Sequence, residues 1–446
     1  MSQASSLTEL QQHIEDLAAA IEAQKAALQD LISQHKEAQN RLNFFVDPMA
    51  RLPLEIQSHI FLCVEPKSSY RDSRNTPHPN SNLPPVVFLS VCRLWRDIAL
   101  STPKLWNKLE LNGLPRPPNY LKFCNMWLDR ARTLALSVSL RGSLDLQQNV
   151  LDLVGQYVDQ LENLTLDLTP HNLDTPNIPF TLDQGMQFPC LKRLSLQSSE
   201  PFSFGSMGQW LGVLAAAPLL STLDLDDVFF DVEDGDEIPS APLVVASLDT
   251  LYLGSPFAYD VLGEHSSTAR ILRYLTLPAL KSLTISSFNI SYDEFFAFLS
   301  RSSPPLESFQ MIVQDNWTLP VIARFARLVP TLVTLELSAM DFRVAEEAHR
   351  FLPFFEVLGT SDLLPHLRKF TLSTDTPWTV DYGMLQRMLT LRATACPARL
   401  ECFELCLPVY ENYTPNPPPN EVEGALRRLV QDGLKIHIGS HAQNVL

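Results

Sequence analysis

The sequence predicts an α/β protein with three parts. These are a long N-terminal helix, a small all-α segment, and an irregular repeat solenoid with a parallel sheet on its concave face. Three observations predict it. An unbroken heptad pattern occupies the first 45 residues, two short apolar helical blocks follow it, and one phrase, L-x-x-L-x-L, returns nine times after residue 130. The boundaries fall at 1–46, 47–112 and 113–446, with a loop insertion at 65–85. A chain of 446 residues carries a prior of about three domains.

The heptad comes first. Leu7, Leu10, Ile14, Leu17, Ile21, Gln24, Leu28, Leu31, His35, Ala38, Leu42 and Phe45 alternate spacings of three and four, which is an a/d seam. The residues between them are mostly good helix formers such as Ala, Glu, Gln and Lys. No glycine occurs in the stretch, and the first proline is Pro48. Gln24 and His35 are polar seam positions, which weaken a coiled coil but fix its register. Either the helix self-associates or grips a partner helix, or it packs on the protein's own body.

The second part opens with DPMARLPLEIQSHIFLCVEP and resumes at LPPVVFLSVCRLWRDIALSTPKLWNKLEL. Pro53 suits a helix start, where its missing N–H costs nothing. Ile56, Ile60, Cys63 and Val64 follow at helical spacing, and Leu89, Cys92, Trp95, Ile98 and Ala99 repeat the pattern. Short helices with this much apolar surface cannot bury all of it within about 60 residues. Some of it must meet another surface.

LPLEIQSHIF, then LSVCRLWRDIA, then LW, resembles an F-box of the kind common in fungal proteins. The preceding heptad helix running into Pro48 is also similar to that family's usual N-terminus. The chain departs from the pattern between Glu65 and Pro85, where a stretch rich in Ser, Asn, Pro and Arg reads as a loop insertion. The resemblance implies docking on the Skp adaptor and, through it, on a cullin. Carried over by motif position, Leu52, Pro53, Ile56, Ile60, Val91 and Trp95 would face the adaptor. The competing reading makes these residues ordinary core of a helical cap, with Trp95 wholly internal.

The third part rests on repetition. LENLTL, LKRLSL, LSTLDL, LDTLYL, LKSLTI, LESFQM, LVTLEL, LRKFTL and LECFEL begin at Leu161, Leu191, Leu220, Leu248, Leu280, Leu306, Leu332, Leu367 and Leu400. Their spacing of 26 to 35 residues is close to the leucine-rich-repeat period. Weaker copies begin at Trp106 and Ala131. The L-x-L portion alternates in and out, so it reads as a strand with one buried face. Pro189, Pro218, Pro278, Pro304, Pro330 and Pro365 each stand two residues before the leading Leu. A proline there ends the preceding helix and sends the chain into extended geometry. Apolar helical stretches fill the intervals, and GLKIHIGS from Gly433 reads as a capping strand. Stacking neighbours buries a ladder that one repeat cannot bury alone.

The outward strand positions are short and polar. Asp167, Asp224, Asp226, Glu336 and Glu404 stand among them against Arg193 and Lys369, and Tyr252 is the aromatic on this face. These positions are the candidate target-binding face, with Tyr252 as anchor, and they suit a basic or neutral partner. The competing reading is a solvated sheet face.

Composition narrows the chemistry. With 34 Lys+Arg against 50 Asp+Glu, the net charge is −16, which argues against nucleic acid. Only 15 glycines occur, about 3% against a usual ~7%, and they form no GxGxxG, GxxxxGK or GxSxG. No apolar run reaches the roughly 18 residues of a membrane span, and the polar start is unlike a secretory signal. Seven scattered cysteines then read as reduced thiols of an intracellular protein, in the cytoplasm or nucleus. Cys396, Cys402, Cys406 and His437 match no usual zinc spacing. The run Asp224–Glu237 lacks the order of a calcium loop and reads as a solvated loop. No cofactor, metal or catalytic residue is expected. The expected function is target recognition for a Skp–cullin–F-box ubiquitin ligase. The alternative is a repeat scaffold that binds partners without ubiquitin transfer.

Overall fold

The computed structural model describes residues 2–46, 48–64, 85–112, 119–169, 186–231, 241–254, 268–286, 291–312, 318–339, 352–360, 362–374, 380–394, 398–408, 417–440 and 443–444. The insertion at 65–85 lies almost wholly outside them, as do Cys396 and the end of the acidic run after Asp231. The described chain forms two compact units, divided between Leu105 and Trp106. It is a mixed α/β protein with a long N-terminal helix and a large parallel sheet.

The first unit contains α1 (Ser2–Val46), α2 (Leu54–Leu62), α3 (Val86–Val91) and α4 (Arg93–Ser101). Helix α1 is continuous over 45 residues, as the lack of Gly and Pro requires. Its polar faces carry local pairs, Lys25 with Glu22 and Arg41 with Glu37, each at 2.7 Å. Its seam is not buried: Leu10, Ile14, Leu17, Ile21, Leu28 and Leu31 are all at least half exposed. This contradicts packing of the seam on the protein's own body.

The core of the unit is Phe61 of α2, Phe88 of α3, and Ile98 and Ala99 of α4. Phe61 and Phe88 stack at 4.2 Å between centroids. Side chains pin the helices together. The buried amide of Gln57 donates to the carbonyls of Met49 and Leu52, both at 2.7 Å. The Arg96 guanidinium donates to the Leu89 carbonyl at 2.9 Å. Thr102 Oγ1 lies 3.0 Å from Ser58 Oγ, tying the end of α4 to α2.

The second unit alternates strand and helix. Its elements begin with β1 (Lys108–Asn112), α5 (Tyr120–Ala131), β2 (Leu136–Ser143), α6 (Leu144–Val154), β3 (Leu161–Thr169), β4 (Arg193–Ser206), α7 (Met207–Ala215) and β5 (Thr222–Asp231). They continue with β6 (Leu243–Val244), β7 (Thr250–Gly254), β8 (Leu275–Thr276), β9 (Ser282–Ile285), α8 (Tyr292–Ser302), β10 (Ser308–Ile312), α9 (Leu319–Leu328) and β11 (Thr334–Ala339). The last are α10 (Leu352–Leu358), β12 (Lys369–Thr374), α11 (Tyr382–Thr394), β13 (Cys402–Cys406), α12 (Asn420–Gln431), β14 (Lys435–Ser440) and β15 (Gln443–Asn444). Strands β6 and β8 form a separate short ribbon. The others make one 13-stranded sheet in chain order, parallel throughout except for the final β14–β15 pair. The weak copy near Trp106 is therefore strand β1 and GLKIHIGS supplies β14, whereas the copy expected at Ala131 falls on the end of α5 and the turn after it, and β2 starts only at Leu136.

Register follows the phrase. Leu164, Leu194, Leu223, Leu251, Leu283 and Phe309 stand side by side on consecutive strands, all buried. The leading leucines, from Leu161 to Leu400, are buried beneath the same face. The helices cover this face: Phe295 of α8 and Phe325 of α9 meet Phe309, and Phe355 of α10 meets Phe370. At the strand starts, the residue after each leading Leu donates its N–H to its counterpart one strand back. Glu307 bonds to Lys281, Val333 to Glu307 and Arg368 to Val333, at 2.8–2.9 Å.

With few glycines, the chain turns by other means. Ser303 and Leu364 adopt left-handed φ values of 41° and 49°, each directly before a proline that excludes helical geometry there. Two arginines hold the turns. Arg392, 0% exposed, donates to the carbonyls of Leu358, Leu363 and Leu364. Arg301, half-buried, donates to the Leu272 and Leu275 carbonyls at 2.8 and 2.7 Å.

Candidate functional site

Two surfaces stand out, one in each unit. The first is apolar and lies on the small helices. Pro53 at the cap of α2 has the extended ψ of 148° that launches the helix. Gln57 and Phe61, four apart, turn inward. The neighbouring stripe of Ile56, Ile60 and Val64 turns out, with Ile56 47% exposed. On α3, Phe88 turns in while Val87 and Val91 turn out, Val91 being 53% exposed. Leu52 and Pro53 ahead of α2, and Leu54 at its first position, add exposed apolar surface. Of the six motif positions, Leu52, Pro53, Ile56, Ile60 and Val91 are thus at the surface. Trp95 is not with them. It is partly buried, its ring 5.0 Å from Phe61 and 5.9 Å from Phe88. The Cys92 sulfur caps its helix by accepting from the Trp95 N–H.

The second surface is the polar face of the large sheet. Register aligns a central row through Glu110, Ser139, Thr165, Ser195, Asp224, Tyr252 and Thr284, and on through Gln310, Glu336, Thr371, Glu404 and His437. A parallel row further along the strands holds Arg141, Asp167, Gln197, Asp226 and Gly254. Of the residues expected on this face, Asp167, Asp224, Asp226 and Tyr252 are brought by register into one patch. A Cβ added at Gly254 would collide with Asp226 Oδ1 and lie 2.6 Å from Tyr252 Cε1. Glycine thus leaves the space those side chains fill.

The electrostatics of that patch are unbalanced. Asp224 accepts from the Ser195 hydroxyl at 3.1 Å and from the Gln197 amide at 3.2 Å. Burial nevertheless pushes its carboxyl up. Burial also raises Asp226, and the charges of Asp224 and Asp167 raise it further. Burial raises Asp167 too, and Arg141 at 3.7 Å only partly offsets it. Oδ1 of Asp224 and Oδ1 of Asp226 are buried without a protein hydrogen-bond partner. A cationic side chain arriving here would supply what the patch lacks.

Glu336 and Glu404 lie elsewhere on the face, where they clasp Lys369. Lys369 Nζ is 3.1 Å from Glu336 and 3.6 Å from Glu404. The hydrogen bond to Glu336 raises the lysine. Burial acts to raise Glu404, but the Thr371 hydroxyl and Lys369 outweigh it and hold the carboxyl below its ordinary value. One lysine thus offsets part of the charge of two carboxylates here.

Sequence reasoning missed Arg141 and the cations of the edge strands. β1, β2 and β14 add Lys108, Glu110, Arg141 and Lys435 to the polar face. The face is therefore less acidic than the inner repeats alone suggest, and its unpaired carboxylates concentrate on β5. The weak copy at Ala131 stops short of Arg141, and it is the strand register that pairs Arg141 with Asp167.

Among the described residues, no group of three or more His, Cys, Asp or Glu is placed to hold a metal ion, and no helix is long and apolar enough to cross a membrane. Cys402 lies on the polar face beside Glu404, while Cys406 is buried.

Compared with known proteins, the chain matches no family model and no curated sequence.

Proposed function

We propose that the chain is the target-recognition subunit of a Skp–cullin–F-box ubiquitin ligase, with no catalytic chemistry of its own. The observation that carries this reading is the exposure of the apolar residues Ile56, Ile60 and Val64 at α2 and of Val87 and Val91 on α3, on a helical unit whose core is already filled by Phe61, Phe88 and Ile98. Exposed apolar residues in a contiguous group mark an interaction surface. These are the helices whose sequence resembles an F-box, and the adaptor is the partner that the resemblance implies. Leu52, Pro53, Ile56, Ile60 and Val91 make the contact. Trp95 serves it from behind by holding Phe61 and Phe88 in place.

The second unit is an irregular leucine-rich-repeat solenoid that holds the target. Its in-order parallel strands and stacked leucine ladder support this reading. The target contributes a basic segment to Asp224, Asp226 and Asp167, with Tyr252 as the apolar anchor. Ubiquitin transfer follows from proximity, because a held lysine meets the charged ligase at raised effective concentration. The protein acts inside the cell, where that machinery operates.

Binding of a purified Skp-family adaptor to the intact chain tests the reading. A stoichiometric complex that recruits cullin is expected. An intact chain that binds no adaptor refutes it, and an adaptor complex without cullin leaves the scaffold role instead. For the target surface, Asp224→Lys with Asp226→Lys should abolish capture of a basic target while adaptor binding is retained.

A further inference from the structure

We infer that the protein is a homodimer, held by a parallel, in-register, two-stranded coiled coil of α1 with α1 of a second copy. The helix itself creates the demand. A helix of 45 residues extends about 67 Å, and in water most helical stability comes from covering an apolar face. On α1 that face is bare along its length, from Leu10 through Ile14, Leu17, Ile21 and Leu28 to Leu31.

The chemistry of the seam selects a second copy. With Leu7 taken as position a, Ile14 and Ile21 share that position with Leu7, Leu28, His35 and Leu42, while Leu10, Leu17 and Leu31 fall at d. β-branched residues at a with Leu at d favour two parallel strands over higher oligomers. The polar seam residues select the register. In a parallel pair Gln24 meets Gln24 and His35 meets His35, so each polar side chain finds a polar partner in the seam. An antiparallel pair aligned over its full length sets Gln24 against Leu28 and His35 against Leu17. The flanking charges agree. The cations at e and g include Lys25 and Arg41, and each is already paired on its own helix with Glu22 or Glu37. A parallel pair sets Lys25 opposite Ala20, and Arg41 opposite Val46. The full-length antiparallel pair instead sets Lys25 against Lys25. An antiparallel pair shifted by one heptad does match Gln24 with His35, but it gives up the contacts of Leu7 and Leu10.

A parallel coil sends both chains out at the same end, after Val46. The assembly therefore carries two apolar helical patches and two target-binding faces, and a target with two basic segments gains by avidity.

Light scattering on the full chain at high micromolar concentration is the test, joined to a cross-linking variant. The native chain should show twice its 50.2 kDa mass. Ile14→Asp with Ile21→Asp should return the mass to that of one chain, with the unfolding transition of the rest unchanged. Gln24→Cys should form a disulfide between the two copies of residue 24, located by peptide mapping so that native cysteines such as Cys63 and Cys190 do not confuse it. A native chain of single mass overturns the inference. So does a trimer or tetramer, a double-Asp variant that is still dimeric, or a dimer whose Gln24→Cys form makes no link between the two copies of residue 24.

Discussion

Arg392 shows how much one residue can hold in this protein. Its side chain is fully buried and serves four main-chain carbonyls, those of Leu358 at the end of α10 and of Thr360, Leu363 and Leu364 in the turn that follows. Replacing it with Met fills similar volume but strips those carbonyls of their donor. Arg392→Met should cost about 2–4 kcal/mol in urea unfolding, the range expected for orphaned buried acceptors. The residue was not legible in the sequence, because an arginine in an amphipathic helix ordinarily reads as part of its solvent face. Asp226 is the opposite case, visible in the sequence as an outward strand position but with its environment hidden. Burial, then the charges of Asp224 and Asp167, lift its carboxyl above the ordinary 3.8. A carboxyl raised in the folded state contributes stability in full below its unfolded value and loses it as pH rises through the folded one. Asp226→Asn should therefore stabilise the protein at neutral pH and have little effect below pH 3.8. A flatter stability profile across the interval, followed by thermal melts, checks this. An unchanged profile means that neither burial nor the neighbouring carboxylates raise Asp226 in the folded state.

At the scale of elements, the repeat phrase was the most legible feature. Its period fixes where strands fall, its alternation fixes which side is buried, and X-Pro marks where helices stop. The copies at Leu306, Leu367 and Leu400 put Phe309, Phe370 and Phe403 where Leu stands elsewhere; helix aromatics meet Phe309 and Phe370, while Phe403 meets Phe370 across the strands. Phe309 is fully buried between Phe295 at 5.8 Å and Phe325 at 4.8 Å. Phe309→Ala opens a cavity that two rings of neighbouring helices cannot both collapse into. It should cost about 3–5 kcal/mol by denaturant titration. A cost below about 1 kcal/mol would mean that the helices close over the gap. The edge strands were less legible. WNKLEL and ARTLAL carry the alternation without the proline that marks six of the inner copies, so the phrase alone does not place Arg141 on the face where it meets Asp167. On α2 the motif positions Ile56 and Ile60 are exposed. The motif could not separate Val91, which points out, from Trp95, which leans on Phe61. Both lie in one short apolar run, and only packing tells them apart.

At the scale of the whole molecule, the proposed function gives docking to one unit and capture to the other. It turns on whether the stripe on α2 and α3 is the docking surface for a Skp-family adaptor. Exposed residues allow a clean test, because changing them leaves the Phe61–Phe88–Ile98 core untouched. The direct measurement is the adaptor's affinity for the full chain by calorimetry, in three forms: native, Ile56→Glu with Val91→Glu, and Leu219→Glu as a control on the second unit. The expected result is binding by the native chain and a loss of about 30-fold or more in the double variant, roughly 2 kcal/mol for burying two charges in an apolar contact. Leu219→Glu should bind like the native chain. Absence of native binding, or a double variant that binds as tightly as the native chain, would contradict the assignment.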